Sequence, residues 1–278
     1  MRDETVAQVA PSGTCGNSFN VNCNNPLLSA SEVATWCTSQ GLSGAEDTNL
    51  TILRRNLEGG PRQNDLTHTD FRDVLGLRGD IVDGWKYDAY ALYSEVQYSE
   101  EFLNDVSLNH IQNALLVDPA TGQCFASEAS AINAYAGRGC APYNLFGTGA
   151  PSAAAIGYIS VPGFQRGFTK EQVASASITG DLGQYGVKLP TAKDGVSVAF
   201  GAEYQQELLS FQPDEEFVTG DLAGQGGAKS PVSGGYHVAE GFGEFLVPLV
   251  EDMFLAKGVI FHGSYRYSSY DLGYDTST

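Results

Sequence analysis

The sequence predicts an all-β protein with antiparallel strands, and three observations lead to this prediction. The chain of 278 residues is 42% hydrophobic and 11% aromatic, yet only 17% charged, which is below the share in ordinary globular domains. Its polarity comes from Gly, Ser, Thr, Asn and Gln, a composition that suits strands and turns better than helices. Apolar and polar side chains also alternate over segments of about ten residues, and short and long connections separate these segments.

The clearest strand is predicted at Val196–Gln205. Val198, Phe200 and Tyr204 share one face, because side chains two residues apart in a strand point to the same side. The intervening residues, Glu203 among them, are polar or small. The pattern therefore predicts a strand with one apolar and one polar face.

The same alternation recurs along the chain. It begins at Val173, Ala239 and Val259, and it is rougher at Phe71–Leu77 and Trp85–Val96. Helical periodicity is weak except at Ser29–Ser39 and Glu128–Ala136, for which we predict short helices inside loops.

The connections predict how the strands are arranged. Gly79–Gly84 and Pro248–Lys257 are short and Gly183–Gly195 is somewhat longer, whereas Ser99–Lys170 and Ser210–Gly234 are long. Tight turns at one end and large loops at the other are typical of an outer-membrane barrel. We therefore predict part of an antiparallel transmembrane β-barrel, with about seven strands in an open curved sheet and long extracellular loops.

We expect the whole chain, 1–278, to belong to one partial barrel domain. Its predicted parts are a loop region at 1–48, strands at 49–97, a long extracellular loop at 98–170, and strands and loops at 171–278.

The charge excludes several partners. Lys and Arg number 15 against 33 Asp and Glu, a net charge of −18, which argues against nucleic acid and against docking on an anionic membrane surface. No apolar run is long enough for a transmembrane helix. The charged start at Met1–Thr5 lacks the apolar region of a signal peptide, so we expect that the natural beginning is missing.

Five cysteines lie in stretches rich in small and polar residues, and their spacing fits no zinc-binding pattern. Paired cysteines in loops indicate an oxidising compartment. We favour a Cys124–Cys140 bridge, while Cys15, Cys23 and Cys37 compete for a second, which leaves one cysteine unpaired.

No residues point to catalysis, a metal or a cofactor. Glu240 and Glu244 share a strand face but lie about 13 Å apart along the strand, more than the usual separation of a glycosidase acid/base pair. The four histidines have no zinc-binding spacing. We therefore expect that the chain is not an enzyme and has no cofactor.

Several stretches resemble the barrel of TonB-dependent receptors from Gram-negative bacteria. They are Arg54–Arg62 (RRNLEGGPR), Leu75–Asp80 (LGLRGD), Gly84–Asp88 (GWKYD), Gly139–Gly147 (GCAPYNLFG), Val198–Tyr204 (VAFGAEY) and Glu240–Phe245 (EGFGEF), the last leading into Val247–Leu249. The resemblance implies a protein of the bacterial outer membrane that imports a scarce nutrient, such as a siderophore, cobalamin or an oligosaccharide. Its implied partners are outer-membrane lipid, the nutrient, and the TonB system acting through a plug domain.

The chain departs from that family in what it lacks. A full receptor of that family would carry a signal peptide, a TonB-contacting box, a plug and about 22 strands. We recognise none of the first three in this sequence and expect about seven strands, so the resemblance implies an interior slice of the barrel wall with its outer loops. The residues expected to line its lumen or the ligand path are Glu203, Glu240, Glu244, His262 and Arg266.

Two alternatives remain open at this stage. One is a secreted or surface β-rich domain that binds carbohydrate or acts as an adhesin, and the other is a soluble glycosidase. Two sheets packed face to face would favour the former, whereas a single sheet with an apolar outer face would favour the barrel. In the barrel we expect Val198, Phe200 and Tyr204 to face lipid and not to lie beneath a second layer.

Overall fold

The computed structural model describes residues 2–7, 12–125, 132–133, 138–146, 151–254 and 256–278, and these are mostly β-structure. Their strands are β1 Arg2–Ala7, β2 Ser18–Asn22, β3 Asp47–Thr51, β4 Gln63–Val82, β5 Trp85–Val106, β6 Ile132–Asn133, β7 Arg138–Gly139, β8 Ser160–Asp181, β9 Ser197–Pro213, β10 Val232–Met253, β11 Ala256–Tyr270 and β12 Tyr274–Ser277. Their α-helices are α1 Ala30–Trp36, α2 Leu108–Leu115, α3 Ala153–Ile159 and α4 Glu215–Thr219. Among them, no helix has the length and apolar character needed to cross a membrane.

One antiparallel sheet dominates the fold. Its strands lie in the order β1-β4-β5-β8-β9-β10-β11-β12, so every strand after the short β1 pairs with the next large strand along the chain. Seven strands follow β1, which matches the predicted number. No pairing joins β1 to β12 within the described ranges, and the sheet is not closed into a barrel. The mostly β, antiparallel prediction is thus confirmed.

The predicted strands lie inside observed ones except for Val196, which precedes β9, and the observed strands are longer. β5 continues to Val106 and β8 already begins at Ser160, so the connection predicted at Ser99–Lys170 is correspondingly shorter. The helix predicted at Ser29–Ser39 is confirmed by α1, which a capping box at Ser29 and Glu32 opens.

The second helix prediction, Glu128–Ala136, lies mostly outside the described residues. Where the structure describes it, at Ile132–Asn133, the prediction is wrong, because these residues form β6 and pair with β7. The sequence interpretation also missed α2, α3 and α4. Each is too short for a clear helical period, although each begins after a Ser or Asp N-cap.

The chain divides into two compact units. Unit 1 comprises Met1–His68, Tyr98–Arg166 and Phe211–Pro231, and unit 2 comprises Thr69–Gln97, Gly167–Ser210 and Val232–Thr278. Strands β4, β5, β8 and β9 contribute residues to both units.

Unit 1 has an ordinary hydrophobic core. Tyr143, Tyr158 and Ile111 are among its largest fully buried side chains, and a smaller cluster surrounds Phe217. Burial of such side chains contributes roughly 1.5–3 kcal/mol each to folding. Unit 1 can therefore be stabilised in the manner of a soluble domain.

Two disulfides cross-link unit 1. The predicted Cys124–Cys140 bridge is confirmed, and the second bridge joins Cys23 to Cys37. Cys15 is the remaining cysteine, and it is exposed.

Unit 2 consists of strands and their turns. Gly84 has φ +75° in the tight turn between β4 and β5, a conformation that favours glycine. The longer connection between β8 and β9 is tied to the end of β10, where Glu251 N donates to Thr191 O at 2.9 Å and the Lys193 ammonium pairs with Asp252.

Candidate functional site

Strand β9 of unit 2 has an inverted pattern of exposure. Along β9, the apolar residues Phe200 and Tyr204 are 50% and 41% exposed, whereas their polar neighbours Glu203 and Gln205 are only partly exposed. In a water-soluble sheet the apolar face is normally the buried one. The apolar side chains of this strand are therefore the more exposed ones.

Strands β10 and β11 also expose apolar side chains, although the opposite side of β11 is equally open, since the His262 side chain is 55% exposed. Their register pairs Phe245 with Gly263 and Val247 with Phe261, so these side chains lie on one face. Phe261 is 53% exposed and Tyr265, two positions further along that face, 58%. We call this side of unit 2 the apolar face, and the opposite side the polar face.

Close packing between an aromatic ring and a glycine joins β9 to β10 on both faces. A Cβ atom at Gly201 would lie 2.3 Å from the Phe242 ring, and one at Gly243 would lie 3.3 Å from the Phe200 ring. Each ring thus fills the space above a glycine on the neighbouring strand, an arrangement that helps to fix the register of a sheet. It also confirms that Phe200 and Gly243 share the apolar face.

Glu240 and Arg266 meet on the polar face. The Arg266 Nη1 atom donates to Glu240 Oε2 at 2.7 Å, and Ser268 Oγ donates to Glu240 Oε1 at 2.5 Å. The Arg266 guanidinium also lies 5.1 Å from the centre of the Phe242 ring. These contacts hold both charged groups in one orientation against the sheet.

The other predicted residues lie on the same face but are less closely connected. His262 Nε2 is 3.8 Å from Glu244 Oε2, and Glu203 shares the polar side of β9 with Gly201. Glu240 and Glu244 are two pleats apart on β10, as the sequence predicts, and each has its own partner on β11. The polar groups of β10 and β11 thus form two separate pairs along these strands.

A concavity of about 600 Å³ lies on the polar face of unit 2. Four successive strands, β5, β8, β9 and β10, supply its walls, through Ser94, Thr169, Glu171, Glu207 and Tyr236. The sequence interpretation did not single out these residues. Period-two spacing places Glu207 on the same face of β9 as Glu203. The proximity of Glu207 to the residues from the other strands depends on the strand register.

Unit 1 holds an acidic cluster around α4. Phe217 N donates to the N-cap Asp214 at 3.0 Å, and Asp221 accepts from Asn109 N at 2.7 Å at the start of α2. Burial, together with the nearby Asp221 carboxylate, raises the pKa of Glu216 to about 7. Within the described residues, no group of three or more His, Cys, Asp and Glu side chains is arranged to hold a metal ion.

Comparisons of this chain with models of protein families, with curated proteins and with solved structures find no match.

Proposed function

We propose that the chain forms part of the wall and outer loops of an outer-membrane receptor similar to the TonB-dependent receptors. In this proposal the receptor captures a scarce nutrient outside the cell and imports it with energy delivered by the TonB system. The apolar face contacts lipid, and the polar face, with Glu203, Glu240, Glu244, His262 and Arg266, lines a watery interior. The chain itself performs no catalysis and needs no cofactor.

The single observation that carries the proposal is the exposure of large apolar side chains along one face of unit 2. Phe200, Phe261 and Tyr265 are each at least half exposed, and both clusters of buried hydrophobic side chains lie in unit 1. A patch of large apolar side chains of this kind marks contact with a membrane or a partner. Its continuation over successive strands of one sheet fits lipid, which contacts a barrel on every strand.

Strand length and loop chemistry also support the proposal. A barrel strand needs about 9–11 residues to cross a bilayer, and β11 has 15. The two disulfides of unit 1 are of the kind found in oxidising compartments such as the periplasm and the cell surface.

A secreted carbohydrate-binding or adhesin domain is the main alternative. It requires a second sheet to cover the apolar face. The described part of unit 2 contains a single sheet, and the two small sheets, β2-β3 and β6-β7, belong to unit 1. The alternative therefore leaves the exposed rings without an explanation.

Fluorescence quenching by lipid tests the proposal. Phe261→Trp and His262→Trp place a tryptophan at adjacent positions on opposite faces of β11, in a background with Trp36→Phe and Trp85→Phe. The full chain is reconstituted in phosphatidylcholine vesicles with brominated acyl chains, which quench only tryptophans in contact with lipid. We expect strong quenching for Phe261→Trp and weak quenching for His262→Trp.

The adjacent pair provides its own control, because both variants have the same background and lie at the same depth to within one residue. Equal quenching at the two positions, or no quenching at either, would contradict a lipid-facing apolar side.

A further inference from the structure

We propose that the concavity on the polar face of unit 2 binds a neutral oligosaccharide. This inference rests on the proposed function and narrows its ligand to one chemical class. The cavity has the volume of a small-molecule site, about 600 Å³, and it extends across four strands, or about 14 Å at the usual spacing. That length accommodates two to three sugar rings.

The charge of the lining argues against an anionic ligand. Glu171 and Glu207 contribute two carboxylates. Among the described residues of the lining, Lys170 is the one cation, and its ammonium lies 3.3 Å from a carboxylate oxygen of Glu95. An anionic iron chelate or a phosphate ester would therefore meet like charge without a compensating cation.

The polar groups suit a ligand with many hydroxyls. The lining supplies hydroxyls from Ser94, Thr169 and Tyr236, and carboxylates from Glu171 and Glu207. Carboxylates accept hydrogen bonds strongly, and hydroxyls both donate and accept. A sugar ring presents hydroxyls that can satisfy both kinds of partner at once.

Aromatic rings beside the cavity suit the flat face of a sugar. Tyr236 lines the cavity, its ring centre lies 6.2 Å from that of Tyr270, and Tyr270 stacks on Tyr274 at 4.5 Å. The face of an aromatic ring is negative, and the C–H groups on one side of a pyranose carry a partial positive charge. Of these rings Tyr236 lines the cavity itself, which thus combines one aromatic ring with hydrogen-bonding groups.

Binding of defined hexasaccharides to the reconstituted full chain tests this inference. Isothermal titration calorimetry is carried out with maltohexaose, xylohexaose and N-acetylchitohexaose as neutral probes. A glucosamine hexamer serves as the cationic probe and a ferric tricatecholate as the anionic one. We expect saturable binding of at least one neutral probe, and no saturable binding of the anionic probe.

Variants locate the binding. Tyr236→Ala should weaken the bound neutral probe about tenfold, the upper end of what loss of a stacking contact costs, and Tyr236→Phe should retain most of the affinity. Glu207→Gln should also weaken binding, because a carboxylate is a stronger acceptor than an amide. Tyr265→Ala, a matched change on the apolar face, should leave the affinity unchanged.

The inference is overturned if no neutral probe binds, if only a charged probe binds, or if Tyr236→Ala has no effect. Lipid quenching measured on the same preparation separates the two proposals. Quenching at Phe261→Trp without sugar binding refutes the ligand class alone, whereas sugar binding without quenching refutes the membrane receptor and leaves the sugar site.

Discussion

Glu216 shows how one half-buried carboxyl group can make unit 1 sensitive to pH. The helix α4 brings it inward because its neighbour Phe217 is buried, and the nearby Asp221 is already engaged at the start of α2. Burial is the main cause of its raised pKa, about 7, and the charge on Asp221 adds to it. The folded protein therefore holds this proton more tightly than the unfolded chain does.

We predict that unit 1 loses stability between pH 5 and pH 8 and that Glu216→Gln reduces this loss. Well below the ordinary pKa of 4.5, the carboxyl is protonated in both the folded and the unfolded state. As the pH rises, the unfolded chain releases its proton first, so the stabilisation fades until the pH passes about 7. At pH 8 the variant should be more stable by roughly 1 kcal/mol, allowing for solvent screening.

Urea unfolding followed by Trp36 fluorescence in a Trp85→Phe background measures this effect. Trp36 lies in unit 1 and packs 5.7 Å from Phe146 between ring centres. Glu215→Gln, on the exposed side of the same helix, is the control. A pH dependence of the same size in both variants would show that Glu216 is not the responsible group.

The strands of unit 2 could be predicted, because alternate residues of a strand point to opposite faces and apolar and polar side chains here alternate with the same period of two. The same alternation fails in the parts of β5 that enter unit 1. There Asp105 and Val106 are adjacent in sequence and both fully buried, so no polar face remains to be recognised. The predicted strands were therefore shorter than the observed ones.

The missed helices had a different signal. Ser107, Ser152 and Asp214 each accept a hydrogen bond from the backbone three residues later and so begin α2, α3 and α4. Such caps can be identified in a sequence, but short helices show little periodicity. The concavity was unpredictable for another reason, since its residues come together only through the pairing of distant strands.

A charge scan of β11 tests the two faces at the level of the element. Phe261→Arg should destabilise the chain in vesicles by about 2–4 kcal/mol if this position lies near the bilayer midplane. His262→Arg, one residue away on the polar face, should cost well under 1 kcal/mol, because its side chain stays in water.

Urea unfolding in lipid vesicles compares the two variants with the unsubstituted chain. A similar cost for both substitutions would mean that the two faces of β11 have the same environment, which the proposed orientation does not allow.

At the scale of the whole molecule, two kinds of stabilisation coexist in one chain. Unit 1 has two hydrophobic clusters and two disulfides, whereas unit 2 consists of paired strands with exposed apolar side chains. The stability of unit 1 should therefore respond to the redox state. In the proposed receptor, the stability of unit 2 should respond to the surrounding lipid.

We predict that removing the Cys23–Cys37 bridge weakens unit 1 and leaves the lipid contact of unit 2 in place. The two cysteines are 14 residues apart, and a closed loop of that size stabilises a fold by about 3 kcal/mol. The double variant Cys23→Ser, Cys37→Ser should therefore lower the free energy of unfolding of unit 1 by about 3 kcal/mol. Urea unfolding followed by Trp36 fluorescence measures this loss.

Quenching of the Phe261→Trp tryptophan by brominated lipid provides the second measurement on the bridge-free chain. We expect the quenching to be unchanged. If removal of the bridge abolished both the lipid quenching and the folded-state fluorescence of Trp36, the two units would unfold as one.

The unbridged Cys15 has a practical consequence. Since the other four cysteines are consumed in bridges and Cys15 is open to solvent, a maleimide reagent has one point of attachment per chain. A dye or a gold particle placed there would mark unit 1 alone. Under oxidising conditions the same thiol offers two chains a covalent link.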